Sequence, residues 1–140
     1  MTVAELRRLF KKQIPAAYQS LQDAATMPES EAKRYKVQKA IEHINKGYEI
    51  LAKCEGHLRG VDELMLYQRV ENISIEKTAL VLYGKADKKA IHNAIALEGH
   101  VFKRLYKCLT AQEATQQAET EKVRQSMAER LKAREERLGG

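Results

Sequence analysis

The side chains best suited to bind another molecule are the basic residues between Lys85 and Lys107. On a helix, steps of three and four residues place a row of them on one face: Lys89, His92, His100, Lys103 and Lys107. Lysine ammonium groups act as point charges, which suits them to the phosphates of a nucleic-acid backbone. The alternative interpretation of the same pattern is a solvated helix face without a partner.

The predicted nucleic-acid-binding residues are Lys85, Lys88, Lys89, His92, Asn93, His100, Lys103, Arg104 and Lys107. Among them, Asn93 has the amide that could read the edge of a base. The ranges 7–12 and 33–39, which are also basic, could extend the surface. The six tyrosines are scattered singly, so the sequence gives no clustered platform on which bases would stack.

The sequence contains no signature of catalysis. It has no Walker loop, no GxGxxG, no HExxH and no nucleophile elbow. Cys54 and His57 could share one helix face as metal ligands, but strong zinc sites have two such short pairs. We therefore expect a protein that is not an enzyme and that uses no metal or cofactor.

Charge and cysteine content suggest where the protein acts. The net charge of +6 is concentrated in residues 73–110, which carry seven basic and three acidic side chains. No apolar run reaches the roughly 20 residues that span a bilayer, and the apolar residues at the start of the chain are interrupted by charges. With two cysteines and no export signal, we expect reduced thiols, a cytoplasmic location and no membrane partner.

Local signals place the basic residues on a pair of helices. Ser74 can cap a short helix that ends at Gly84, and Asp87 can cap the helix that follows. This pattern predicts a helix-turn-helix-like region whose second helix has one apolar face and one cationic face.

Helical signals continue through the rest of the chain. Residues 2–5 and 26–29 have the form of capping boxes, and Pro15 should kink or split the first helix. Apolar residues recur every seven positions from Val37 to Met65, and small residues including Gly47 line one edge of that seam. Gly60 should break this long pattern, with Asp62 capping the helix that restarts.

Together these signals predict an all-α protein, a bundle of four to five helices with a long polar C-terminal helix. Residues 1–110 are expected to form the bundle domain. Residues 111–140 are expected to form an extended helix or coiled-coil tail, which could bind a protein partner or a second copy through residues 111–138.

The leading functional hypothesis is a non-enzymatic nucleic-acid-binding protein, with DNA and RNA left open. The alternative is a helical adaptor or assembly subunit that binds protein partners through apolar helix seams.

Overall fold

The computed structural model describes residues 1–139, and these residues are almost entirely helical. In chain order the elements are α1 (Val3–Arg8), a π-helical turn (Leu9–Gln13), α2 (Ile14–Ala25), α3 (Glu31–Lys53), α4 (Gly60–Val70), α5 (Ile75–Tyr83) and α6 (Lys88–Gly139). The first three follow one another without a loop, so the described residues form five helical segments and no strand. The predicted all-α fold with a long C-terminal helix is confirmed. No helix among residues 1–139 is long and apolar enough to cross a membrane.

Most of the predicted helix caps are present. Thr2 and Glu5 form a reciprocal capping box at the start of α1. Ser74 accepts a hydrogen bond from the backbone N–H of Lys77 at 3.3 Å, and Asp87 accepts one from that of Ala90 at 2.8 Å. The hydrogen bond from Ala90 lowers the pKa of the Asp87 carboxyl, because it favours the charged form.

Two predicted caps are wrong. Thr26 does not cap α3; its hydroxyl donates to the Asp23 carbonyl at the end of α2, and Ser30 caps α3 instead. Asp62 does not cap α4, which begins after Arg59 without a side-chain cap. Asp62 lies in the first turn of α4, and its carboxylate accepts a hydrogen bond from Arg104 of α6 instead.

The long apolar pattern breaks earlier than Gly60. Helix α3 ends at Lys53, and a turn from Cys54 to Arg59 leads into α4, which starts at Gly60. Within that turn Gly56 has a φ of +78°, a left-handed conformation that costs glycine little. The interruption between α3 and α4 therefore includes the glycine that can adopt this conformation.

Pro15 divides the first helical segment by way of the π-helical turn. Proline has no backbone N–H, so the regular helical hydrogen-bond ladder cannot continue through it. The N–H of Ile14 donates to the Leu9 carbonyl, five residues earlier, which is the bond of a π-helix. The wider turn brings Leu9 onto the buried face together with Leu6, Phe10 and Ile14.

The main core joins the first helical segment with α3, α4 and α6. Phe10 and Phe102 pack with ring centroids 5.8 Å apart, and Met65, Leu66 and Leu105 are fully buried beside them. A smaller cluster of alanines, Ala79, Ala90 and Ala94, joins α5 to the start of α6. Alanine side chains allow these two helices to pack closely.

Gly47 is a point of close approach between α3 and its neighbours. A Cβ atom at this position would lie 2.7 Å from Cδ1 of Ile14 and 3.0 Å from Cγ2 of Val70. Both neighbouring side chains are buried, so neither has space into which to move. The predicted small-residue edge of the α3 seam is therefore a real packing surface.

The chain divides into two units, Met1–Leu109 and Thr110–Gly140. Every residue of the two buried clusters lies in the first unit. In the second unit, the side chains of the described residues are exposed, apart from that of Gln112, which is half-buried. Helix α6 contributes residues to both units.

We predict that Gly47→Leu destabilises the protein by about 2 to 3 kcal/mol, because the added side chain overpacks the contact with Ile14 and Val70. Asn45→Leu, on the exposed side of α3, is the matched control and should change the free energy of unfolding by less than about 0.5 kcal/mol. Urea denaturation measures both. Equal stabilities of the two variants would mean that the helices do not meet at Gly47.

We also predict that a chain ending at Leu109 folds cooperatively, since it retains both buried clusters. Its thermal midpoint should lie within a few degrees of the full-length value, while the helical circular dichroism signal falls by the contribution of the missing segment. Loss of the cooperative transition would show that residues 110–139 belong to the core.

Candidate cationic binding surface

The predicted binding residues lie mainly on the exposed side of α6 and in the turn before it. Those exposed are Lys85, Lys88, Lys89, His92, Asn93, His100, Lys103 and Lys107. Between Lys88 and Leu109 the only acidic residue is Glu98, and its side chain is only 3 % exposed. This part of α6 therefore presents positive charge to solvent and has no exposed carboxylate of its own.

Arg104 differs from the other predicted residues because it is half-buried and its guanidinium is paired with a buried carboxylate. Its Nε and Nη2 donate to the two carboxylate oxygens of Asp62 at 2.7 and 2.6 Å. Asp62 is 1 % exposed, so the pair fastens α6 to the start of α4. The hydrogen bonds from Arg104 to this carboxylate raise the pKa of Arg104, because they favour the charged form.

Lys85 also has a carboxylate neighbour. Its Nζ lies 3.5 Å from Oδ2 of Asp87, and both side chains are more than half exposed. An exposed pair of this kind contributes little to stability. Lys85 is therefore a weaker candidate for an external anion than the lysines of α6 itself.

A groove beside α6 collects further basic side chains. It has a volume of about 1000 Å³, and its lining residues are Val3, Ala4, Arg7, Arg8, Lys11, Lys12 and Lys103. Five of these seven residues are basic and none is acidic. Lys103 belongs both to the groove and to the cationic face of α6, so the two form one surface.

Glu98 holds Lys11, one of the residues that line the groove. Its Oε1 lies 2.6 Å from Nζ of Lys11, whose side chain is 46 % exposed. Its Oε2 lies 3.4 Å from Nε of Arg69, in a geometry that leaves this N–H without a hydrogen bond. One buried carboxylate thus links the π-helical turn, α4 and α6.

Arg69 is held by the start of α5 as well. Its Nη2 donates to the Ser74 carbonyl at 3.4 Å and to the hydroxyl of Thr78, which itself donates to Gln68 at 2.6 Å. Burial lowers the pKa of Arg69, and the nearby carboxylate of Glu98 opposes that shift. Through Arg69 and Glu98, this network therefore connects α5 to Lys11, which lines the groove.

The π-helical turn determines which side chains reach the groove. In an unbroken α-helix, the residues three, four and seven positions before Ile14 would share its buried face, and Arg7 would be among them. The wider turn instead buries Leu9 and Leu6, and Arg7 and Arg8 are exposed. Arg7 then lies across α6, with Nη2 3.4 Å from the position that a Cβ of Gly99 would occupy.

In the other basic stretch, residues 33–39, the three lysines are paired with acids. Lys33 contacts Glu29 at 2.9 Å, Lys36 contacts Asp23 at 3.9 Å, and Lys39 contacts Glu42 at 3.6 Å. Nearby carboxylates reduce the attraction of these lysines for an external phosphate. Of the two predicted extensions, only residues 7–12 join the α6 surface in a groove free of acidic lining residues.

No group of three or more histidine, cysteine or acidic side chains that could hold a metal ion occurs among residues 1–139. The sequence signal for the groove was the run of four cations in residues 7–12, but nothing local connects that run to Lys103.

Comparison with protein-family models, curated proteins and solved structures finds no match. The function must therefore be inferred from the surface itself.

We predict that Arg104→Met lowers the free energy of unfolding by about 2 to 4 kcal/mol, because it leaves the Asp62 carboxylate buried without its partner. The double variant Asp62→Leu with Arg104→Met should recover most of the loss, since both charges are then absent. Urea denaturation of the single and double variants measures the difference. A double variant as unstable as the single one would mean that packing, rather than charge, dominates at this contact.

Proposed function

We propose that the protein is a non-enzymatic nucleic-acid-binding module that holds phosphates on the α6 surface and in the adjoining groove. The observation that carries the proposal is the lining of the groove, which has five basic residues and no acidic one. A surface of one sign with low-dielectric walls attracts a polyanion and orients it before contact.

The extent of the surface suits an extended anion better than a small one. Lys89 and Lys107 are 18 positions apart on one helix, which corresponds to about 27 Å. Phosphates follow one another along each strand of DNA at roughly 3.4 Å per base pair. Cations spread over this distance can contact several successive phosphates of one backbone.

The composition of the surface favours contacts to the backbone over contacts to bases. Lysines predominate on α6, and a lysine ammonium carries no preference for a particular base when it binds phosphate. Asn93 is exposed on α6 and is the amide that could bond to adenine. The proposed binding is therefore mostly insensitive to the base sequence of the nucleic acid. The proposed location of the protein is the cytoplasm.

The adaptor hypothesis remains the second candidate, because apolar side chains are exposed on several helices, among them α5 and the part of α6 in the second unit. On α5, Leu80 and Val81 are 51 % and 57 % exposed. In the second unit, Val123, Met127 and Leu131 are 58 to 60 % exposed and repeat every four residues. Helical stripes of this kind can bind another helix.

We predict that removing the basic groups of the groove weakens nucleic-acid binding. The variant Arg7→Gln, Lys12→Gln and Lys103→Gln removes three charges while keeping the stems that pack on the surface. Affinity for random-sequence duplex and single-stranded DNA or RNA should fall by a large factor at moderate salt. The slope of log affinity against log salt should decrease by about two to three.

A second variant, Lys89→Ala, Lys103→Ala and Lys107→Ala, tests the α6 face in the same way. The matched control is Lys122→Gln, Lys132→Gln and Arg137→Gln in the second unit, which removes the same number of charges. Equal weakening by the control would show that net charge alone drives binding. Unchanged affinity in both test variants, with the circular dichroism spectrum intact, would reject this surface and favour the adaptor hypothesis.

A further inference from the structure

The apolar side chains of the second unit form one stripe along α6. Val123, Met127 and Leu131 are 58 to 60 % exposed, and Leu138 is 79 % exposed. All four belong to one continuous α-helix, in which a rotation of about 100° per residue places them within about 40° of Met127. In proteins most helical stability comes from packing of an apolar face, so a partner that covers this tail stripe would stabilise the helix.

The tail stripe repeats every 11 residues rather than every seven. Thr120 and Arg134 also lie on it, and the steps from Thr120 to Leu138 are 3, 4, 4, 3 and 4 residues. Thr120 and Leu131 therefore hold equivalent positions, as do Met127 and Leu138. An 11-residue repeat corresponds to about 3.67 residues per turn, close to the α-helical value. Two such helices can thus stay in contact along the whole stripe with little supercoiling.

We infer that the tail stripe is covered by a second copy of this chain, in a parallel pair of helices with identical residues facing each other. The charges beside the stripe favour this occupant. Glu119 and Arg130 lie on one side of it, and Arg124 and Glu135 lie on the other. All four side chains are exposed. The inference is independent of the proposed nucleic-acid binding.

In a parallel pair, one side of each stripe faces the opposite side of the other stripe. Glu119 then meets Arg124 of the second copy, and Arg130 meets Glu135 of the second copy. Both pairs are offset by five residues, about 7.5 Å along the helix axis, which the long side chains of glutamate and arginine can span. Twofold symmetry repeats each pair on the opposite side of the dimer. The flanking charges are thus complementary to those of an identical chain.

An antiparallel pair would bring the same side of both stripes together. With Met127 near the centre, Glu119 then lies beside Arg137 of the second copy, but Glu121 lies beside Glu135 of the second copy. The repulsive contact offsets the attractive one. The parallel arrangement has only attractive contacts between the flanking charges named above, so it is the one that the charges select.

Arg134 is the charged residue within the stripe. It lies on the same side of the stripe centre as Arg130, so its guanidinium can extend toward Glu135 of the second copy while its stem remains between the helices. A polar residue at a core position of a coiled coil lowers stability but fixes the register. Arg134 therefore opposes pairings in which the two stripes are shifted along each other.

Sedimentation equilibrium of the full-length protein, after nuclease treatment so that nucleic acid cannot link two chains, tests the inference. The average mass should rise with concentration from that of one chain to that of two. The variant Met127→Gln with Leu131→Gln should raise the dissociation constant by on the order of a hundredfold, because the dimer then buries less apolar surface. The matched control, Ala114→Gln with Ala118→Gln, changes the opposite side of the helix without altering its charge, and should dimerise like the wild type.

A charge exchange tests the parallel arrangement. Arg130→Glu places two acids opposite each other and should weaken the dimer by roughly tenfold, whereas adding Glu135→Arg should restore most of the affinity. Lys132→Glu, on the outer side of the helix, makes the same change in charge and should have little effect.

Three results would overturn the inference, each with the circular dichroism spectrum intact. They are the mass of a single chain at every concentration, equal weakening by the stripe variant and its control, and failure of Glu135→Arg to rescue Arg130→Glu.

Discussion

The surface of this protein depends on one buried carboxylate. Glu98 is 2 % exposed and is paired with Lys11 from the π-helical turn and Arg69 from α4. A buried charge is costly unless it is paired, so this side chain constrains three elements at once. Because Glu98 points inward, the outer side of α6 between Lys88 and Lys107 keeps only basic and neutral side chains.

Asp62 is a second acid whose burial removes negative charge from the surface. Its carboxylate is buried and paired with Arg104, so this acid also contributes no negative charge to the surface. The protein thus gathers positive charge on one face without a large net charge. The bundle conceals two acids, and each is paired with a basic residue that the sequence pattern would otherwise assign to the surface. The cost is that Lys11 and Arg104 are partly withdrawn from any external anion.

The structural features that could be predicted from sequence are those specified by neighbouring residues. The caps at Ser74 and Asp87, and the end of α5 at Gly84, depend on side chains within one turn of the backbone. The amphipathic pattern of α6 likewise follows from spacing alone. Such signals are local, and for this reason the bounds of α5 and the start of α6 could be predicted from the sequence alone.

The features that could not be predicted involve partners far apart in sequence. Arg104 has the spacing of a surface residue, and only the bundle brings Asp62 to it. Lys103 reaches the groove because the first helical segment packs beside α6, a contact for which no local pattern exists.

The π-helical turn makes the length of the N-terminal segment as important as its composition. It accommodates one residue more than an α-helical turn would. A one-residue deletion at Lys12 or Gln13 would remove that extra residue and allow an unbroken α-helix. Leu6, Leu9 and Phe10 would then lie seven, four and three positions before Ile14, so all three would stay on its buried face. Straightening the turn without a deletion would instead place Arg7 seven positions before Ile14, on the face that the core occupies. The faces of the N-terminal segment therefore depend on the number of residues between Phe10 and Ile14 as much as on their identity.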